Sequence, residues 1–233
     1  MSPTRGGRHF HEELARLKHL LLDMSGLAEE LVAQAVQART ERDQALAESV
    51  IARDQELDGM EVAVGDACLH LLALQQPMAR DLRQITTAMS ISRDLERVGD
   101  HAVNIAQGVQ HQASHLVSME LAEIDEMSRI SREMLSDAID AFVRSDPDSA
   151  RSVLQRDDRV DQLHDSTFRI LVTHMMEDPR RISAAMSLLL VSRNLERIAD
   201  LATNISEDVV FLVEGRNIKH VRTLQALRES GEA

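Results

Sequence analysis

The chain carries much of its own sequence twice. Residues 23–58 align without a gap on residues 126–161, an offset of 103, with Met24, Ser25, Glu30, Ala35, Ala38, Asp43, Ala47, Ser49, Val50, Arg53, Asp54 and Asp58 recurring as identical residues. By Ser92 and Ser192 the offset has fallen to 100, because the connection holding QQPMARD is three residues longer than the one holding EDPRR. Self-similarity over so long a period constrains the fold to two like units. The change of offset marks a loop, where insertions are tolerated.

Each unit reads as helical. Aromatic residues make up 2% of the 233, Trp and Tyr are absent, and there are 9 Gly and 4 Pro, so strand formers and turn residues are both scarce. Long runs of Ala, Leu, Met, Glu, Gln and Arg lose little on entering a helix. Pro77, Pro147 and Pro179 fall where helical patterns stop and restart, because proline is accepted in a first turn and not inside. With a softer break at GVQHQASH, helices are predicted over 8–40, 43–75, 78–110, 116–145, 147–176 and 180–214. Short connections make neighbours antiparallel. The expected fold is all-α: two tandem three-helix bundles related by pseudo-twofold symmetry, at 8–112 and 116–215, with a tail at 216–233. A chain of this length buries roughly 70 to 75% of its unfolded surface without needing disulfides or metal.

The net charge of −13 argues against a nucleic-acid binder, which needs Lys and Arg to replace phosphate counterions. It equally opposes adsorption to anionic lipid. The N-terminal MSPTRGGRHFHEEL has no apolar core, and no run approaches about 18 apolar residues, so neither a signal peptide nor a membrane span is expected. A cytoplasmic location follows as an expectation. The lone Cys68 sits in apolar DACLHLL and reads as a core residue, and so do the 11 Met.

On a helix turning 100° per residue, Ile91, Leu95, Val98, Ala102, Ile105 and Val109 form one apolar stripe, and Leu195, Ile198, Ala202 and Ile205 form its counterpart. Nearly opposite lie Arg93, Glu96, Arg97, Asp100 and Asn104, repeated as Arg193, Glu196, Arg197, Asp200 and Asn204. Two acids at i and i+4 repel by a few tenths of a kcal/mol. Asp54 with Asp58 and Asp157 with Asp161 double the pattern, followed by Glu61 in one copy and His164 in the other. Paired carboxylates on one helix face can chelate or bridge a hard cation, which would relieve the repulsion. The competing explanation is a solvated face on which the four arginines pair with the acids. His101, whose counterpart is Leu201, reads as a surface residue. Enzyme signatures are missing: there is no phosphate-gripping glycine loop, no Gly-x-Ser-x-Gly and no His-Glu-x-x-His. A di-iron bundle would want Glu-x-x-His on two helices, and the nearest approach, Asp161 to His164, occurs once.

LLALQQPMARDLR at 71–83, RDLERVGDHAVNIA at 93–106 and EDVVFLVEGRNIKH at 207–220 closely resemble the PhoU family, the phosphate-specific transport system accessory proteins. The resemblance runs from about residue 9 to 220. It implies a non-enzymatic, cytoplasmic negative regulator of the phosphate starvation response, linking the ATPase subunit of a phosphate importer to a sensor histidine kinase, and a homodimer. It also implies surface metal ions held by Asp54 with Asp58, Glu96 with Asp100, Asp157 with Asp161, and Glu196 with Asp200. Oxygen ligands suit iron, manganese or magnesium. The alternative from another class is a metal-storing or metal-dependent redox bundle.

Overall fold

A computed structural model describes residues 5–75, 77–112, 121–216 and 218, and among them every regular element is helical. Helices α1 (Arg5–Glu41), α2 (Gln44–Gln75) and α3 (Arg80–Gln112) pack on one another as the first bundle. Helices α4 (Ala122–Arg144), α5 (Pro147–Leu154), α6 (Asp157–Glu177) and α7 (Ile182–Glu214) form the second. The two halves meet chiefly along α3 and α7, with α1 against α4 beside them.

The stripes expected to be core are core: Ile91, Leu95, Val98, Ala102, Ile105 and Val109 are buried, as are Leu195, Ile198, Ala202 and Ile205. Burial of an apolar stripe supplies most of what holds such helices in place. The repeat preserves packing as well as sequence. Leu57 and its counterpart Val160, and Leu95 and its counterpart Leu195, are each fully buried.

Three boundaries differ from expectation. The single helix expected over 147–176 is pinched at Gln155 and Arg156, where Arg156 N–H donates to Val153 O and Arg159 N–H to Arg156 O. These are i to i+3 bonds, and both residues keep right-handed dihedrals, so the axis tightens locally without reversing. Neither residue is proline or glycine, and its counterpart α2 runs through unbroken. At the start of α4, Leu121 is extended and the helix opens at Ala122 instead of 116, residues 116–120 lying outside the described residues. Helix α3 opens at Arg80 because Ala79 takes φ 47°, a left-handed conformation incompatible with continuing a helix.

The remaining prolines behave as punctuation. Pro147 occupies the first turn of α5, capped by the Asp146 carboxylate, which accepts from Asp148 and Ser149 N–H. Pro179 opens a 3₁₀ turn, Pro179–Arg181, capped by Asp178 in the same way.

Helices α3 and α7 lie antiparallel. Arg83 Nε donates to Leu212 O near one end, and His101 Nδ1 donates to Asn194 Oδ1 at 2.9 Å near the middle. Arg97, His101, Arg197 and Asp200 line a cavity of about 190 Å³ at this seam. His101, expected at the surface, is therefore half-buried and joins the bundles.

Candidate functional site

The acids assemble into two groups, each spanning two helices of a hairpin. In the first, Asp54, Asp58 and Glu61 on α2 face Glu96 and Asp100 on α3. Partial burial, and then the charges of Asp100, Asp58, Glu61 and Asp54, hold the Glu96 carboxyl above the usual glutamate range. Burial, Asp58 and Asp100 raise Asp54 likewise. Five negative side chains thus feel one another across two helices, a relation the linear spacing could not show.

Gly99 makes this approach possible. A Cβ added there would stand 2.4 Å from Leu57 Cδ2 and 2.6 Å from Asp54 Oδ1, closer than any real contact. In the second bundle the counterparts are Ala199 and Val160, both fully buried. A methyl gained on one helix is matched by a methylene lost on the other, so the two hairpins reach close packing by different residues. A glycine in a helix interior costs about 1 kcal/mol against alanine, and that cost was the available signal for Gly99.

The second group gathers Asp161 and His164 on α6 with Glu196 and Asp200 on α7. Burial, then Asp200, Asp158 and Asp165, raise the Asp161 carboxyl, while His164 opposes. Burial and Asp200 raise Glu196, against Arg197 and His164. Asp157 lies half-buried in the first turn of α6. Arg197 sits 2.9 Å from Asp200 and 3.5 Å from Glu196. The equivalent Arg97 turns instead to Asp94, at 3.4 Å. Ser192 Oγ donates to Met127 Sδ and accepts from His164 Nδ1, which leaves Nε2 as the ring's lone-pair nitrogen.

Mutually repelling carboxylates suit a hard cation, whose charge would oppose their repulsion. Among the described residues no three acid, His or Cys side chains already converge on a single point. The donor chemistry fits; the side chains would have to close around an ion.

Beyond each acid group, toward the hairpin turn, the same helix lines become apolar. Leu69 and Leu72 continue the line of Asp58 and Glu61, and Leu82 and Met89 that of Glu96 and Asp100. In the second hairpin Phe168 and Met175 continue from Asp161 and His164, and Ile182, Met186 and Leu189 from Glu196 and Asp200. Leu69, Leu82, Phe168, Ile182 and Met186 are exposed. Met78, Met176 and Met186 are exposed too, against the expectation that methionines fill the core, which Met24, Met127 and Met134 do satisfy. Cys68 is buried as expected, and burial pushes its thiol up to about 12.

Two helical bundles joined along an antiparallel seam, each presenting an acidic and apolar hairpin face, define a doubled helical-bundle protein. The chain belongs to the PhoU family: the PhoU domain model matches residues 21–109 and 124–209. It is 39% identical to the phosphate-specific transport system accessory protein PhoU homolog of Rhizobium meliloti (strain 1021), over 88% of this chain and 87% of that one. It is 34% identical to the phosphate-specific transport system accessory protein PhoU of Escherichia coli (strain K12), over 91% of this chain and 88% of that one. The crystal structure of PhoU from Pseudomonas aeruginosa superposes with a TM-score of 0.84 at 39% identity, covering 89% of this chain and all of that one. That of the phosphate transport system regulatory protein PhoU from Streptococcus pneumoniae gives 0.84 at 30% identity.

Proposed function

We propose that this accessory protein of phosphate transport is a negative regulator of the phosphate starvation response. It acts as a non-enzymatic adaptor between the ATPase subunit of a phosphate importer and a sensor histidine kinase. The observation that carries this reading is the doubled hairpin face, where exposed apolar side chains adjoin clustered acids. Contiguous exposed apolar surface marks interaction sites, and complementary charge sets partner choice and association rate. Two such faces on one chain suit a protein that serves two partners. No described helix is long and apolar enough to cross a membrane, which favours peripheral, cytoplasmic docking on membrane complexes. The working form is a homodimer.

In this reading Asp54, Asp58, Glu96 and Asp100 hold metal on the first bundle, and Asp157, Asp161, Glu196 and Asp200 hold it on the second, with iron, manganese or magnesium as the cation. Deleting the gene should leave phosphate-starvation genes expressed in phosphate-rich medium. Intact repression in a clean deletion would overturn the adaptor reading. A pull-down at high and low phosphate then tests the two partners directly.

A further inference from the structure

We propose that the cavity at the α3–α7 seam binds a free, protonated tetrahedral oxyanion of the hydrogenphosphate type between Arg97 and Arg197. Three contacts set the register of the two helices: Arg83 Nε with Leu212 O, His101 Nδ1 with Asn194 Oδ1, and Gly108 with Ser187, whose Oγ would stand 4.0 Å from a Cβ added to the glycine. In each, the position on α7 falls back by as many residues as the position on α3 advances. With the repeat offset of 100, this register runs the pseudo-twofold axis between Arg97 and Val98 on α3 and between Arg197 and Ile198 on α7. Val98 and Ile198 are buried in the core, and the two arginines line the cavity. The symmetry of the repeat thus brings one guanidinium from each bundle into a space of about 190 Å³.

Their present partners leave donors to spare. A guanidinium has five N–H donors. Arg97 reaches one carboxylate, Asp94, at 3.4 Å, Arg197 reaches Asp200 at 2.9 Å and Glu196 at 3.5 Å, and both arginine side chains stay half-exposed. An oxyanion lying between two guanidinium groups is gripped from both sides and relieves their mutual repulsion. The other lining groups choose among oxyanions. Asp200 presents a carboxylate, and His101 has Nδ1 committed to Asn194, which leaves Nε2 as that ring's lone-pair nitrogen. Thr203 Oγ1 spends its proton on Asp200 O. These groups are acceptors and call for a ligand O–H. Near neutral pH inorganic phosphate keeps at least one proton and sulfate keeps none, so sulfate would meet the Asp200 carboxylate with no hydrogen between them. A site that offers a hydrogen-bond acceptor rejects the analogue lacking the donor.

The inference rests on this cavity and not on the adaptor reading. Its test uses the full-length chain freed of metal with a chelator, so that no bound cation carries the anion. Titration calorimetry with inorganic phosphate should show saturable binding, with sulfate at least about tenfold weaker, roughly 1.4 kcal/mol. Arg97→Gln and Arg197→Gln should each weaken phosphate by at least about tenfold. Arg16→Gln, which removes the same charge from an exposed pair with Glu13 on α1, should leave it unchanged. Asp200→Asn should narrow the preference for phosphate over sulfate, because an amide can donate to an anion that has no proton. Each variant is first checked for unchanged helical content by circular dichroism. Absence of saturable binding up to about 10 mM phosphate would overturn the proposal. So would equal affinity for sulfate, or a loss in Arg16→Gln as large as in the seam variants. Phosphate bound only after metal is restored would assign it to the acid groups and overturn the proposal as well.

Discussion

The two acid groups occupy matching positions, yet only one is compensated by the protein itself. In the second, Arg197 lies against Asp200 and Glu196, and His164 stands where the first has Glu61. In the first, Arg97 is turned away to Asp94, and among the described residues Asp54, Asp58, Glu96 and Asp100 have no ion pair. The same backbone frame therefore holds one cluster that carries its own counter-charge and one that leaves repulsion standing. A cation arriving at the first displaces nothing; at the second it competes with a guanidinium. The repeat conserves where the acids are, and divergence around them sets how strongly each copy calls for an external charge.

The largest expected effects test whether the bundles are equivalent in packing. Leu95→Ala and Leu195→Ala each remove a fully buried side chain and should cost about 2 to 5 kcal/mol in chemical denaturation. Similar losses would establish equal cores; a loss in only one would mean the halves unfold separately. Next is the exchange that closes the hairpins. Gly99→Ala should destabilise by about 1 to 3 kcal/mol through overpacking against Leu57, and Leu57→Val added to it should recover much of that loss, reproducing the second hairpin's solution. Failure of the second change to compensate would break the volume argument.

Smaller effects sharpen the electrostatic contrast. In metal titrations followed by calorimetry, Arg197→Gln should strengthen cation binding at the second group by a few-fold, on the order of 0.5 to 1 kcal/mol for an exposed pair. Arg97→Gln should change the first group less. Asp100→Asn with Asp200→Asn should lower metal content by elemental analysis while leaving helical content intact, and undiminished metal would remove these residues from the sites.

The pH dependence should be smaller still. Glu96 and Asp54 have folded-state pKa values above their unfolded ones, so the folded chain binds more protons across that window. Stability from these groups must rise as pH falls from neutral through the raised values, the gain being complete below the ordinary carboxylate range. Metal-free Glu96→Gln should lose that rise relative to the parent in thermal melts at successive pH values. A parent and variant with parallel profiles would dismiss the repulsion.

Much of the fold was legible because long helices repeat their periodicity many times. Ile91 through Val109 could hardly have faced anything but a core, and the repeat assigned the same role to Leu195 through Ile205. The pinch at Gln155 was hidden because no proline or glycine marks it. The acids were recognisable as pairs along a helix, whereas their grouping depended on interhelix register, fixed by Gly99 against Leu57. Met176 and Met186 misled for a related reason: an apolar residue announces burial, and here both are exposed.

The seam between α3 and α7 has a mechanical consequence. Two 33-residue helices laid side by side make a stiff bar about 50 Å long, pinned along its length by Arg83 with Leu212 and by His101 with Asn194. The hairpin turns sit at opposite ends of that bar. The two turns are thereby held about 50 Å apart, so anything bound at one is set at a distance from anything bound at the other by the length of the bar.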